Sequence, residues 1–67
     1  MRTPRQWLAQ LRDSRALSAA DFAAELGVSR MTVHRWETGT VPRLAQASDL
    51  ARYARVTLDE VAAVWGV

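Results

Sequence analysis

Sixty-seven residues, 49% of them apolar, suffice for one folded domain with a modest core and leave no room for a separate catalytic or ligand-binding domain. The chain has no cysteine, which excludes disulfide staples and thiolate metal sites and fits a reducing cytoplasm. Its net charge of +2 is too small to name a partner, and no apolar run approaches the ~20 residues that a membrane span needs.

The hydrophobic spacing is helical throughout, and no stretch alternates as a strand does. Thr3-Pro4-Arg5-Gln6 opens the first helix: Thr3 is placed to cap, Pro4 suits the first helical position, and Gln6 completes a capping box. Trp7, Leu8 and Leu11 share its apolar face, and the pattern fades near Ser14-Arg15-Ala16. Ser18 caps the second helix, with Asp21 in its first turn and Phe22, Ala23 and Leu26 as its buried stripe. Gly27 ends it, and Ser29 caps a third helix only two residues later. Gly39 closes that helix, and Thr40-Val41-Pro42 forms a short connector. Leu44, Ala47, Leu50, Ala51 and Ala54 give a fourth helix its apolar face. Thr57 and Glu60 form a second capping box, opening a fifth helix with Leu58, Val61, Ala62 and Trp65 on one side. The expected organisation is all-α: one compact five-helix domain over residues 1–67, without linkers or repeats.

Charge and helix geometry single out the third helix. Residues 1–45 hold seven arginines against four acids, whereas residues 46–67 hold two against three. The basic surface therefore belongs to the front two-thirds of the chain. The preference for arginine over lysine is better accounted for by a GC-rich genome than by function, so positions matter here and the arginine count does not. At about 100° per residue, one arc of the third helix collects Arg30, Met31, His34, Arg35 and Thr38, and the opposite arc Thr32, Val33, Trp36 and Glu37. One face is basic and hydrogen-bonding, the other largely apolar. A helix that packs on a core while entering the major groove of duplex DNA has this division. With the short second helix and glycine-containing turn before it, the segment at about 18–39 reads as a helix-turn-helix.

LGVSRMTVHRWETG, from Leu26 to Gly39, resembles the signature of the lambda-repressor-like (Cro/Xre-type) helix-turn-helix family. The similarity continues through Pro42 and LARYARVTLDEV, from Leu50 to Val61. The resemblance implies a five-helix lambda-repressor-like fold and a sequence-specific, double-stranded DNA-binding transcriptional regulator, with residues 29–38 as the helix in the major groove. It implies that Arg30, Met31 and Arg35 read base edges: Arg30 bidentate to guanine, Met31 against a thymine methyl, and Arg35 on a base or a phosphate. Ser29, Thr32, Thr38, Thr40 and Arg43 match positions that touch the sugar-phosphate backbone, as do the amides around Ser18 and Ala19. Two positions depart from the family pattern. Ala19 replaces a frequent glutamine that clamps a phosphate, and Arg55 stands where glycine is usual before the fifth helix. The resemblance further implies an ion pair between Arg12 and the inward-facing Glu37, fixing the angle of the third helix.

Other residues take plainer roles. His34 is alone, without cysteine or a spaced carboxylate cluster, and reads as an exposed helix residue; no metal or cofactor is expected. Trp7 and Trp36 read as core. Val61, Val64 and Trp65 mark a stripe that the small core is not certain to cover, a candidate surface for a homodimer or a protein partner. No nucleophile–base pair, phosphate loop or paired catalytic carboxylate is visible, so an enzyme is not expected. Two functions compete: a repressor of phage or bacterial type acting as a cytoplasmic, nucleoid-associated homodimer, and an antitoxin-type interaction module that binds a toxin and autoregulates its operator.

Overall fold

A computed structural model describes residues 2–67. Five helices follow one another: α1 (Pro4–Asp13), α2 (Ala19–Glu25), α3 (Arg30–Glu37), α4 (Leu44–Ala54) and α5 (Leu58–Val64), with no strand among the described residues. Their starts are where the capping chemistry places them. Thr3, Ser18, Ser29 and Thr57 each accept, through the side-chain hydroxyl, the N–H three residues on at 3.1 Å. The Gln6 and Glu60 side chains return the bond to the cap N–H at 3.0 Å, which completes two capping boxes. α4 starts differently. Arg43 occupies the cap position without a side-chain cap bond, and Gln46 Oε1 accepts the Arg43 N–H at 3.0 Å.

All five helices end by one device. A left-handed residue follows the last turn, and the next N–H reaches back to the carbonyl five residues earlier, as in a Schellman closure. The closing bonds are Leu17 to Arg12, Val28 to Ala23, Thr40 to Arg35, Val56 to Ala51 and Val67 to Ala62, at 2.9–3.2 Å. Glycine occupies three of the left-handed positions, but Ala16 (φ 54°) and Arg55 (φ 58°) occupy the other two. The turn before α5 is thus kept with arginine in place of the expected glycine, at a backbone cost of about 1–2 kcal/mol for a residue bearing a Cβ.

α1 and α2 pack on α3, and α4 packs on α5. Trp7, Leu8, Phe22, Ala23, Val33, Trp36, Leu50, Ala51 and Val61 form the buried core. Every helix contributes to it, so no helix is dispensable. Phe22, Leu50 and Val61 are its most enclosed side chains.

The candidate partner stripe on α5 is corrected by this packing at Val61 alone. Val61 is 1% exposed and belongs to the core, and Val64 and Trp65 are half-buried against it. The Trp65 indole N–H donates to the Trp36 carbonyl at 3.0 Å. Its ring meets Trp7 edge-on with centroids 6.0 Å apart. Val61 is buried where α5 packs on α4, and Trp65, just past the end of α5, reaches α3 through its indole, neither of which period alone reveals. Apart from Met31, the large exposed apolar side chains lie around a groove of about 230 Å³ between the connector, α4 and α5, where Val41, Leu44, Leu58 and Val67 form the rim and Trp65 is part of the lining. Leu44 is 72% exposed.

Candidate nucleic-acid interface

α3 is held by its buried side. Val33 and Trp36 are in the core, and Thr32 and Glu37 are half-buried beside them. Arg30, Met31, His34, Arg35 and Thr38 are exposed, so the polar arc of the wheel is the solvent face of the helix. Met31, 57% exposed, is an unbranched apolar side chain standing in water among cations.

The hydroxyl groups around α3 are not equivalent. Ser29 Oγ accepts the Thr32 N–H and lies 3.0 Å from Thr32 Oγ1. One of these two protons bridges the pair and the other points outward. Thr38 donates its hydroxyl proton to the Arg35 carbonyl at 3.0 Å. In that rotamer it offers an outside ligand only lone pairs, whereas a phosphate needs donors. Ser18 uses its oxygen to cap α2 and keeps its proton free. Ala19, half-buried at the start of α2, brings no polar side chain.

Two open grooves flank α3. The first, about 420 Å³, lies against the start of α2 and is lined by Ala19, Arg30, Met31, Val33, His34 and Glu37. The second, about 320 Å³, lies toward α4 and has Thr32, Arg35, Thr40, Arg43 and Gln46 in its lining. The two arginines of α3 thus line different grooves. The only arginine side chains bonded within the chain, among the described residues, are Arg2, Arg15 and Arg52. Arg30, Arg35 and Arg43 carry uncompensated charge.

The expected Arg12–Glu37 ion pair does not form. The two residues line the same small crevice with Leu8, Ala9, Phe22 and Val33, but among the described residues the ion pair within 4.0 Å is Arg52 with Asp49. Both Arg12 and Glu37 are half-buried. At a half-hydrated site a pair gains little over two solvated groups.

Sequence reasoning also missed a cluster away from α3. The Tyr53 hydroxyl donates to Glu25 Oε2 at 2.6 Å. Arg15 donates to the Tyr53 carbonyl and places its guanidinium 4.1 Å from the ring centroid. Tyr53 also meets Phe22 edge-on at 5.8 Å. Burial first, then the hydrogen bond to Glu25 and its charge, push the Tyr53 hydroxyl above its usual range, with Arg15 opposing. The cluster joins the turn after α1, the end of α2 and α4. Its one legible signal was Tyr53 at three residues from Leu50, on the apolar side of α4. Gln46 was missed as well, although its place three residues into α4 is that of a capping-box partner.

A family model described as "Helix-turn-helix" matches residues 8–61. The match includes all of α2, α3 and α4 and both grooves beside α3. No curated protein and no solved structure matches the chain.

Proposed function

We propose that this chain, which belongs to the lambda-repressor-like (Cro/Xre-type) helix-turn-helix family, is a repressor that occupies a duplex operator with α3 in the major groove. Sequence-specific DNA binding in transcriptional regulation is the property of the family; repression, the contacts and the assembly are the proposal. The observation that carries it is the combination, on one short helix, of a side rooted in the core and a solvent side whose arginines have no partner in the chain. A major groove accepts one helix and presents acceptors to such donors.

Arg30 stands at the first position of α3, where a groove-reading helix meets base edges. A bidentate bond to guanine O6 and N7 discriminates by about 1–3 kcal/mol. Met31 follows it and suits a thymine methyl group. Ser18 and one member of the Ser29–Thr32 pair keep a hydroxyl proton for phosphate oxygens along the same approach, and Thr40 and Arg43 border it from the connector. The short Ala19 leaves the start of α2 to act through its main-chain amide alone. Thr38 joins the contact only if its hydroxyl turns away from the Arg35 carbonyl. Two copies bind a two-fold operator with half-sites about one helical turn apart, and the exposed Leu44, Leu58 and Val67 supply apolar surface for pairing.

Selection of bound duplexes from a random pool, followed by a salt series, tests the proposal. The expected result is one enriched motif, a large ratio of selected over scrambled duplex, and affinity that falls steeply with salt. Equal binding of selected and scrambled duplexes would overturn it. Sedimentation of wild type and Leu44→Glu, with and without the selected duplex, tests the pairing, which fails if one copy per half-site binds without cooperativity in both.

A further inference from the structure

We infer that Met31 is an oxidation site through which a peroxide lowers the affinity of this protein for its operator. Conversion of the Met31 thioether to the sulfoxide disables the reading face of α3 and leaves the fold intact. The inference rests on α3 entering the major groove with Met31 against a base.

The first observation is the inventory of oxidisable groups. The chain has no cysteine, and its two sulfur atoms belong to Met1 and Met31. The indoles are turned inward: Trp7 and Trp36 are buried and Trp65 is half-buried. Met31 is instead 57% exposed. It belongs neither to the core nor to the side chains packed against the core. An oxygen donor in solvent therefore meets this sulfur directly.

The second observation is the place of that sulfur. Met31 is the second residue of α3 and lines one groove with Arg30 and His34. The other large exposed apolar side chains, Val41, Leu44, Leu58 and Val67, gather at a different groove. A thioether at the reading position loses water without breaking a strong hydrogen bond. A sulfoxide carries an acceptor oxygen there, and thymine presents O4 and a methyl group, neither of which donates. An acceptor buried without a donor costs affinity. Arg35 stands one turn on, at the spacing that brings side chains together. A bond from Arg35 to the sulfoxide would satisfy that oxygen only by withdrawing the guanidinium from DNA.

The third observation separates binding from folding. A sulfoxide in a core disrupts the packing around it, but Met31 supports none of the core. Hydrogen peroxide supplies the oxygen. The sulfur lone pair bonds to one peroxide oxygen as the O–O bond breaks, and the other oxygen leaves as water with both protons. The thioether loses two electrons and the peroxide gains them. Reductases specific for each sulfoxide epimer reverse the step, so the fold survives to bind again.

The test treats wild type with enough hydrogen peroxide for partial oxidation and offers it a limiting amount of the duplex selected by the untreated protein. Bound and free fractions are digested and analysed by mass spectrometry. Cleavage after arginine releases Met31–Arg35 as a peptide with no second methionine. Sulfoxide at Met31 should be depleted from the bound fraction by about ten-fold or more, and sulfoxide at Met1 should divide evenly. Full oxidation should leave the circular dichroism and the thermal midpoint unchanged, and treatment with the two epimer-specific reductases should restore affinity. Prior binding of the selected duplex should slow oxidation of Met31. An even division of Met31 sulfoxide, a loss of affinity that follows Met1 instead, or one accompanied by a lower midpoint overturns the inference. Groove reading then stands on the preference of the untreated protein for the selected duplex. An untreated protein that prefers no duplex overturns both.

Discussion

Arg30, Arg35 and Arg43, around α3 and the connector, hold their guanidinium groups off the protein, whereas Arg15 and Arg52, around α4, are tied to it. Arg15 lies on Tyr53 and bonds its carbonyl, and Arg52 pairs with Asp49. The same side chain therefore serves two ends. Bound to the chain, it fastens helices. Left free, it retains its conformational freedom, roughly 2 kcal/mol of rotamer entropy, until a ligand orders it. Lack of a partner alone does not mark a binding surface, since the side chains of Arg5, Arg12 and Arg55 also bond nothing among the described residues; Arg30, Arg35 and Arg43 differ in lining the grooves beside α3. The division implies that stability and DNA binding should respond to different substitutions.

The largest effect comes from cutting the root common to both regions. Trp36 is 2% exposed and its carbonyl receives the Trp65 indole. Trp36→Ala should cost about 3–5 kcal/mol, much of the stability of so small a domain, and should abolish the cooperative thermal transition and DNA binding together. A variant that still melts cooperatively near the wild-type midpoint would show that α3 is not anchored in this way.

Arg30→Ala should separate the two regions. It should lose about 1–3 kcal/mol of discrimination between selected and scrambled duplexes, seen by fluorescence anisotropy, with the thermal midpoint unchanged because its guanidinium makes no hydrogen bond or ion pair among the described residues. A fall in the midpoint would place Arg30 with the tied arginines.

Tyr53→Phe should do the reverse. Loss of the bond to Glu25 should lower stability by about 0.5–1.5 kcal/mol, with the affinity of the folded protein for DNA unchanged. A pH dependence follows from the same group. The folded state raises the Tyr53 hydroxyl above its usual value of 10.0, so it binds that proton more tightly than the unfolded chain does. Its contribution is complete below pH 10 and is lost as pH rises through the higher folded value. Denaturant titrations at rising alkaline pH should show a steeper decline for wild type than for Tyr53→Phe; parallel curves would remove Tyr53 as the cause.

The smallest effect is a gain. Arg55→Gly relieves a left-handed residue bearing a Cβ but loosens the unfolded chain, for a net stabilisation of roughly 0.5–1 kcal/mol. DNA affinity should stay level, since Arg55 lies away from both grooves beside α3. An unchanged midpoint would mean that the arginine side chain compensates for its backbone.

Helix boundaries and the two faces of α3 were legible because their causes are local. Thr3, Ser18, Ser29 and Thr57 cap the N–H three residues away, and the spacing of Val33 and Trp36 follows the helical period. The sequence by itself thus determined an all-α chain, a helix-turn-helix segment and the residues its third helix shows to solvent. What it left undetermined depends on how helices distant in sequence meet. Packing of α5 on α4 buried Val61, and the indole of Trp65 just beyond it engaged the Trp36 carbonyl. Partial hydration left Arg12 and Glu37 apart in one crevice. The turn of the connector put Arg43 and Gln46 beside Arg35 and left Arg30 in the other groove. Capping and periodicity act within a few residues and can be read along the chain. The burial of a charge, or the sharing of a groove by two arginines, depends on distances that only the folded packing sets.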